Sequence, residues 1–202
     1  ANKALLAARG DEIFRLARAR GVDVYYEAAV CGGVPIIRTL REALASDRIT
    51  ALHGIVNGTT NFILTAMAEK GDPIERALAE AQRLGYAEAD PTLDVSGGDA
   101  AQKLCVLAQL AFGAALRPED VLTEGIMALK PEDFRWAREF GYALKLLAVA
   151  RRCGPAEGAA PGAPDQLEAR VHPAFIPAGS LLAGVRGAMN AVVLHSEALG
   201  AS

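Results

Sequence analysis

The chain has 202 residues, of which 51% are hydrophobic and 22% are charged, so it is long enough to bury one large core or two small ones. Its net charge of −3 provides no basic field for nucleic-acid phosphates or anionic lipid, and only 5% of the residues are aromatic platforms on which bases stack. We therefore expect no nucleic-acid partner. Gln109 and Lys145 interrupt the two longest apolar runs, so we expect no membrane partner either.

The first half of the chain alternates helical and extended patterns. Helix formers predict a helix over 4–20, with a weak point at Gly10, and a second helix over 36–46. Between these helices we predict a strand over 22–28 and, at the glycine pair, a tight turn over 29–35. A β-branched run predicts a strand over 49–56. A helix then starts near Asn61 with Thr59 or Thr60 as its cap, and another starts with Asp72 as N-cap and Pro73 at N1 and stops at Gly85.

The second half continues the alternation after an acidic loop. We predict a long apolar helix over 97–112, a short strand or helix edge over 121–126, a helix from about 131 that passes into a strand by 150, a loop over 154–165, a strand over 166–176, a helix over 180–189 and a last strand over 190–199. This order indicates an α+β (α/β-like) fold, a mixed β-sheet with helices packed on it. No two glycines are spaced as GxG and no GxxxxGK occurs, so the chain has no phosphate cradle of its own.

The loop "GYAEADPTLDVSGGDAAQKL", residues 85–104, carries four carboxylates and one ammonium. Ser96 and Asp99 have the spacing of a capping box, and Asp99 and Lys103 are an i,i+4 pair, which on a surface helix would have only a structural role. On a helical wheel, however, Lys103 lies between Leu107 and Leu110 in an apolar flank. A lysine is almost never buried without a partner, so we expect Lys103 to pair with nearby carboxylates, and such perturbable charges in a cleft are what proton transfer needs.

A metal site is the alternative explanation for these acids. Asp90, Asp94 and Asp99 lack the alternating spacing of a calcium loop, and Pro91 prevents a helical ladder of ligands. The three histidines are scattered singly, so a transition-metal cluster is weakly supported.

The three cysteines, Cys31, Cys105 and Cys153, are odd in number and widely separated, which predicts a reducing, cytoplasmic setting without disulfides. The chain opens "ANKALLAARG", without methionine, and we expect it to be a piece of a longer protein.

The segment "AQRLGYAEADPTLDVSGGDAAQK", residues 81–103, resembles the signature of the homoserine dehydrogenase family. Three more stretches are similar to that family: "ANKALLA" to the lysine segment that leaves its nucleotide-binding domain, "YYEAAVCGGVPII" to its glycine turn, and "GIVNGTTNFIL" to the strand and loop beside its substrate. The resemblance covers essentially the whole chain.

The resemblance implies reduction of L-aspartate 4-semialdehyde to L-homoserine, or the reverse, with NADP or NAD as cofactor. It assigns proton transfer to Lys103, a catalytic and cofactor-contacting role to Lys3, and substrate binding to Glu88 and Asp99. It places four further residues at the substrate pocket, although Tyr86 would also fit a packing role and Thr59 a cap: Tyr86, Asp94, Gly58 and Thr59.

The family glycine turn implies a sodium ion bound by backbone carbonyls, here those of Glu27, Val30, Gly32 and Val34. Cys31 stands where the family more often has a small residue, and a turn without an ion is the alternative. The resemblance further implies a homodimer. It assigns residues 1–22 to a remnant of the nucleotide-binding domain with a linking helix, and residues 23–202 to the catalytic, substrate-binding and dimerisation domain.

Two other functions stay open at this point. One is a non-catalytic dimerisation or interaction module on the same fold, and the other is this domain within a fused kinase and dehydrogenase. The preference for NAD or NADP is not visible, because the family's discriminating residues precede this chain.

Overall fold

The computed structural model describes residues 2–160 and 162–201. Helices make up much of this part of the chain. The helices are α1 (Lys3–Arg20), α2 (Ile36–Arg38), α3 (Gly58–Lys70), α4 (Ile74–Arg83), α5 (Thr92–Val95), α6 (Gly98–Phe112) and α7 (Pro131–Glu139). A π-helical turn, Thr39–Ala43, continues α2, and 3-10 turns occur at Glu27–Ala29, Pro118–Asp120 and Leu182–Gly184. Among the described residues, no helix combines the length and the apolar character that a bilayer crossing requires.

Six strands in the described residues form a single sheet with the order β2-β4-β3-β1-β5-β6. The strands are β1 (Ile49–Ile55), β2 (Leu122–Thr123), β3 (Tyr142–Arg152), β4 (Leu167–Pro177), β5 (Ala191–Ser196) and β6 (Gly200–Ala201). β2 runs parallel to β4, whereas the other neighbouring pairs are antiparallel. The sheet is therefore mixed, and the predicted α+β fold class is confirmed.

The two faces of the sheet contribute to two hydrophobic clusters, because successive side chains of a strand point to opposite faces. On β3, Leu144 and Leu146 belong to the main core, to which α6 contributes the fully buried Leu104 and Leu107. Leu147, the next residue after Leu146, points to the other face and belongs to a smaller cluster there. Burial of each leucine contributes roughly 1.5–3 kcal/mol, so the main core can hold α6 firmly against the sheet.

The prediction of a strand over 22–28 is wrong. The chain forms the 3-10 turn Glu27–Ala29 there, with Val22 and Tyr25 exposed. Tyr26 is buried and packs its ring 5.2 Å from that of Phe14 on α1. The aromatic residue that resembled part of a strand therefore anchors a turn to the end of α1.

The predicted helix over 180–189 is also wrong, since only the 3-10 turn Leu182–Gly184 forms. Gly187 has φ +59°, a left-handed conformation that favours glycine and interrupts a right-handed helix. The following residues run irregularly to β5.

Two predicted helix starts are shifted. α3 begins at Gly58 with Asn57 as its N-cap, rather than near Asn61 with a threonine cap, and Asn57 Oδ1 accepts a hydrogen bond from the Thr60 amide at 2.8 Å. α4 has Pro73, not Asp72, at the N-cap position. The boundary errors are one to three residues, which is common for helix ends.

Helix α1 contains a break at Arg9, where the backbone leaves helical geometry with φ −138° and ψ 21°. The neighbouring Gly10 faces α6, and a β-carbon built on it would lie 2.6 Å from Gln109 Oε1. The predicted weak point at Gly10 therefore coincides with a close approach of α1 to α6.

Candidate active site

Asp99 lies in the first turn of α6 and is the centre of a buried charge cluster. Its side chain is only 6% exposed. Its Oδ1 atom lies 2.9 Å from Lys3 Nζ, and its Oδ2 atom lies 2.7 Å from Lys103 Nζ. One carboxylate therefore joins a lysine at the start of α1 to a lysine one turn further along α6.

Lys103 is held from two sides. In addition to its ion pair with Asp99, its ammonium donates a hydrogen bond of 2.8 Å to the backbone carbonyl of Val56, just after β1. The Lys103 side chain is 15% exposed, whereas that of Lys3 is 33% exposed. An ammonium has three N–H donors, and these two contacts use two of those of Lys103.

Asn57 connects this cluster to a second carboxylate. Its Nδ2 atom donates to Asp99 Oδ2 at 2.8 Å and to Asp94 Oδ1 at 2.7 Å, while its Oδ1 atom caps α3. The side chain is thus satisfied at both ends, and the start of α3 is fixed relative to α6. The turn "NGTT" indicated a helix start, but nothing in the sequence indicated that Asn57 contacts residues about 40 positions away.

The electrostatics of Asp99 result from opposing effects. Burial alone would raise the pKa of its carboxyl group, but the charge of Lys103 and the hydrogen bonds from Lys103, Asn57 and Lys3 outweigh burial and lower the pKa below 3.8. Asp99 is therefore ionised at neutral pH, and the cluster of Asp99, Lys3 and Lys103 carries a net charge of about +1.

The capping-box alternative for Ser96 and Asp99 does not form. Ser96 Oγ accepts a long hydrogen bond, 3.4 Å, from the Gly98 amide, and the Asp99 carboxylate is directed to the two lysines and Asn57. Gly97 occupies the N-cap position of α6 with φ 84°. The buried charge pair therefore takes the place of the box.

The remaining substrate-pocket candidates lie near this cluster to different degrees. Thr59 Oγ1 donates to the Tyr86 carbonyl at 2.6 Å, and the Tyr86 ring packs 4.8 Å from that of Phe62. A β-carbon on Gly58 would lie 2.6 Å from the Ala188 carbonyl oxygen. Glu88 is exposed, and among the described residues its carboxylate has no ion-pair partner, so the structure does not bring it into the cluster.

The candidate cation turn is tightly bonded. The Glu27 carboxylate accepts hydrogen bonds from the Ile37 and Arg38 amides, both at 2.9 Å. The carbonyls of Glu27 and Val34 accept backbone N–H groups at 3.4 and 2.8 Å, so each uses one lone pair within the protein. Val30 is buried and Gly32 is exposed.

Cys31 adopts φ 51°, an unusual conformation for a residue with a side chain. It is buried, and burial raises the pKa of its thiol to about 11. The turn thus forms with cysteine at the position that the sequence left in doubt. In the described part of the chain, no three His, Cys, Asp or Glu side chains are grouped to hold a metal ion.

Comparisons with known proteins agree on one family. Residues 35–202 match the model of the homoserine dehydrogenase family. The chain is 50% identical over 202 residues to a homoserine dehydrogenase of Pseudomonas aeruginosa. The aligned region covers 100% of this chain and 44% of that protein.

Two solved structures show the same fold. A homoserine dehydrogenase from Thiobacillus denitrificans has a TM-score of 0.90 at 52% identity, over 100% of this chain and 44% of that one. A hyperthermophilic archaeal homoserine dehydrogenase in complex with NADPH has a TM-score of 0.79 at 29% identity, over 100% of this chain and 55% of that one. The chain thus spans about half the length of the relatives it matches or less.

Proposed function

The chain belongs to the homoserine dehydrogenase family, and from that premise we propose that it is the catalytic, substrate-binding part of a longer oxidoreductase. The reaction we propose is the reversible reduction of L-aspartate 4-semialdehyde to L-homoserine. The observation that carries this proposal is the buried Asp99 carboxylate bridging Lys3 and Lys103.

We assign proton transfer to Lys103. Its ammonium is oriented by Asp99 and by the Val56 carbonyl, which leaves a third N–H for the oxygen of a substrate. When the aldehyde is reduced, that oxygen gains negative charge, and a preoriented cationic donor stabilises it more than it stabilises the neutral carbonyl. In the reverse direction the same nitrogen, once deprotonated, accepts the hydroxyl proton.

We assign substrate recognition to groups around the first turn of α3. The substrate carries an ammonium group, for which Glu88 has a free, exposed carboxylate and Asp94 has an oxygen next to Asn57. Gly58 and Thr59 directly follow Asn57, and Thr59 is bonded to the Tyr86 carbonyl. We propose that all these residues, with Asp99, line the substrate pocket.

The cofactor would be NADP or NAD, consistent with a relative that was solved in complex with NADPH. Lys3 fits a position between cofactor and substrate, because its ammonium is bonded to Asp99 while a third of its side chain is exposed. When bound, the nicotinamide supplies the hydride for the carbonyl carbon. The chain has no GxG segment, so its own contribution to cofactor binding would be limited to the reactive end.

A sodium ion in the turn of Glu27, Val30, Gly32 and Val34 is a further part of the proposal. Carbonyl oxygens are hard ligands that suit such an ion. The turn keeps at least one lone pair free on the carbonyls of Glu27 and Val34. The ion would then stabilise the approach to α2.

We further propose a cytoplasmic homodimer, with residues 1–22 linking to a nucleotide-binding domain and residues 23–202 as the catalytic and dimerisation domain. The sheet face around Leu147, Ile176 and Leu182 lines an open apolar pocket of about 270 Å³ outside the main core, and Leu181, which also lines it, is exposed. A second copy of the chain is the partner that we assign to this face. The alternative, a non-catalytic module, is not favoured, because such a module needs no buried cluster of two lysines on one aspartate.

Replacement of Lys103 by alanine tests the proposed function. In the longer enzyme we expect turnover of homoserine with NADP or NAD to fall by about 10²–10⁴-fold, the range that a positioned proton-transfer group contributes. Steady-state kinetics of the wild type and the variant are the measurement.

Lys70→Ala is the matched control. Lys70 is exposed, lies at the end of α3 and pairs with Glu80, so its loss should leave turnover unchanged. Near-normal turnover in the folded Lys103→Ala enzyme would contradict the assignment, and absence of any turnover in the wild type would contradict the proposed function.

A further inference from the structure

Residues 185–190, which we call the clamp segment, lie against one side of α3. Asn61 Nδ2 donates to the carbonyls of Val185 and Met189 at 3.3 and 3.1 Å. One turn further along α3, Thr65 Oγ1 accepts the Gly187 amide at 3.2 Å. Gly58 completes the row, because the Ala188 carbonyl packs directly on its Cα.

Gly58, Asn61 and Thr65 are spaced by three and four residues, so they share a helix face. This spacing gives the clamp segment two polar anchors and one close backbone contact. The contact at Gly58 lies in the turn that also holds Asn57, which donates to Asp94 and Asp99. The position of the clamp segment is therefore linked to the charge cluster through one short turn.

Lys145, on β3, ties the clamp segment to the sheet. The residue is 5% exposed. Its ammonium donates to Asn61 Oδ1 at 3.0 Å and to the Val185 carbonyl. The same lysine thus bonds both to the helix anchor and to the first residue of the clamp segment.

Burying a charged lysine to make these bonds is unfavourable in free energy. In the described part of the chain Lys145 forms no ion pair, and the charges that act on it are Arg186, which repels it, and Glu69, which pairs with Arg186 at 3.4 Å. Arg138 also lines the cavity of about 250 Å³ in which these groups meet. Burial, with Arg186, lowers the pKa of Lys145 to about 8.

An unpaired buried ammonium is unfavourable, and an apolar residue would avoid that cost. The advantage of a lysine here is geometric, since it has three donors at the end of a long side chain and joins a strand, a helix and the clamp segment at one atom.

We propose that Lys145 is a positioning residue for the substrate-binding turn: by fixing residues 185–190 against Gly58 and Asn61, it keeps Asn57 and Thr59 in place to receive substrate. This inference rests on the proposed function of that turn. It assigns Lys145 no contact with the reacting atoms. Its loss should therefore affect substrate binding more than the chemical step.

The test compares Lys145→Met with wild type in the longer enzyme. We expect KM for homoserine to rise about tenfold while kcat changes by less than about threefold, because losing an interaction that supports the bound substrate and the transition state equally raises KM and leaves kcat nearly unchanged. Lys145→Gln, whose amide retains N–H donors for the same oxygens, should recover part of the loss. The control Lys70→Met removes an exposed lysine and should leave both constants unchanged.

A tenfold rise in KM that Lys145→Gln partly reverses would support the inference. An unchanged KM in folded Lys145→Met would overturn it, and so would a fall in kcat at unchanged KM. If the wild type itself turns over no homoserine, the proposed function fails, and the next measurement tests Lys145 alone.

Hydrogen exchange of the same variants is independent of activity. In Lys145→Met we expect faster exchange at the Gly187 and Thr60 amides, which are bonded to Thr65 and Asn57, and unchanged exchange within β4. A uniform increase over the whole protein, or no increase at these two amides, would overturn the inference.

Discussion

At the scale of single residues, the most consequential feature is the sharing of one carboxylate by two ammonium groups. Asp99 is nearly inaccessible, and its two oxygens bind different lysines from different helices. Because the two cations outnumber the one carboxylate that they share, their ammonium groups can stabilise an oxygen that becomes negative. The same arrangement makes Asp99 essential to the local fold, since without it two cations would face each other.

Asp99→Asn should therefore destabilise the protein. We expect a loss of about 3 kcal/mol, the usual cost of removing one partner of a buried ion pair. Urea denaturation of the 202-residue chain at pH 7 measures this loss. Asp90→Asn is the control, because Asp90 is exposed and, in the described part of the chain, its side chain bonds only to neighbouring Thr92. Its replacement should lower the free energy of unfolding far less.

The pH dependence should have a definite sign. The folded-state pKa of Asp99 is below the ordinary 3.8, so the ionised carboxylate stabilises the fold at neutral pH, and that contribution is lost as the pH falls below about 4 through the folded pKa. The difference in unfolding free energy between wild type and Asp99→Asn should shrink over that range. A difference that stays constant down to pH 2 would contradict the lowered pKa.

The sequence predicted part of this cluster. The i,i+4 spacing and the helical wheel were sufficient to place Lys103 beside Asp99 in an apolar flank. Lys3 entered only through the family resemblance, because no local pattern relates residues that are separated by four intervening helices. Asn57 was missed as a cluster member, since its amide contacts depend on how α3 and α6 pack.

At the scale of elements, the start of α3 determines much of the site geometry. Asn57 caps this helix, and Gly58 allows the Ala188 carbonyl to pack against its first turn. No side chain other than hydrogen fits at position 58, because the neighbour is a backbone atom rather than a flexible side-chain end. The first turn of α3 therefore has a single close-packed arrangement.

Gly58→Ala should shift that turn. We expect a loss of about 1–3 kcal/mol, the usual cost of overpacking, measured by urea denaturation of the chain. Gly179→Ala is the matched control, since a β-carbon there meets nothing within 4 Å. Equal stability of the two variants would show that the clamp segment can move away from position 58 at little cost in free energy.

Elements with a strong period were predicted well, and irregular ones were not. β1, β4 and β5 form where β-branched or alternating residues indicated them, and α6 forms within a residue of its predicted bounds. The predictions for 22–28 and 180–189 failed because the apolar residues of these segments lie in turns and make tertiary contacts there. Side chains such as Asn61 and Thr65, distant in sequence, hold the second of these segments.

At the scale of the whole molecule, the chain contains the groups to which we assign proton transfer and substrate binding, but it has no GxG or GxxxxGK segment to hold a phosphate. The family relatives are about twice its length. Cofactor affinity in dinucleotide-binding enzymes comes largely from the glycine-rich turn and the adjoining helix N-terminus. The 202-residue chain should therefore retain its fold but have little affinity for cofactor.

Titration of the isolated chain with NADPH tests this expectation. We expect a Kd well above the micromolar range, measured by nucleotide fluorescence or calorimetry, and little or no turnover of homoserine. The longer enzyme is the positive control. Micromolar binding by the chain alone would show that the cofactor is held mainly by these residues.

The break at Arg9 divides α1 into two helical segments, and Lys3 lies on the shorter one, residues 3–8. The longer segment is packed on the core through Phe14, and the shorter one is packed on it through Leu6 and Ala7, which are 3% and 5% exposed. A tilt of the shorter segment would therefore have to move Leu6 and Ala7 out of the core before it drew the Lys3 amine away from Asp99. The packing of Leu6 and Ala7 thus sets the distance between two charged groups, and a substitution that loosened it would alter the charge balance around Asp99.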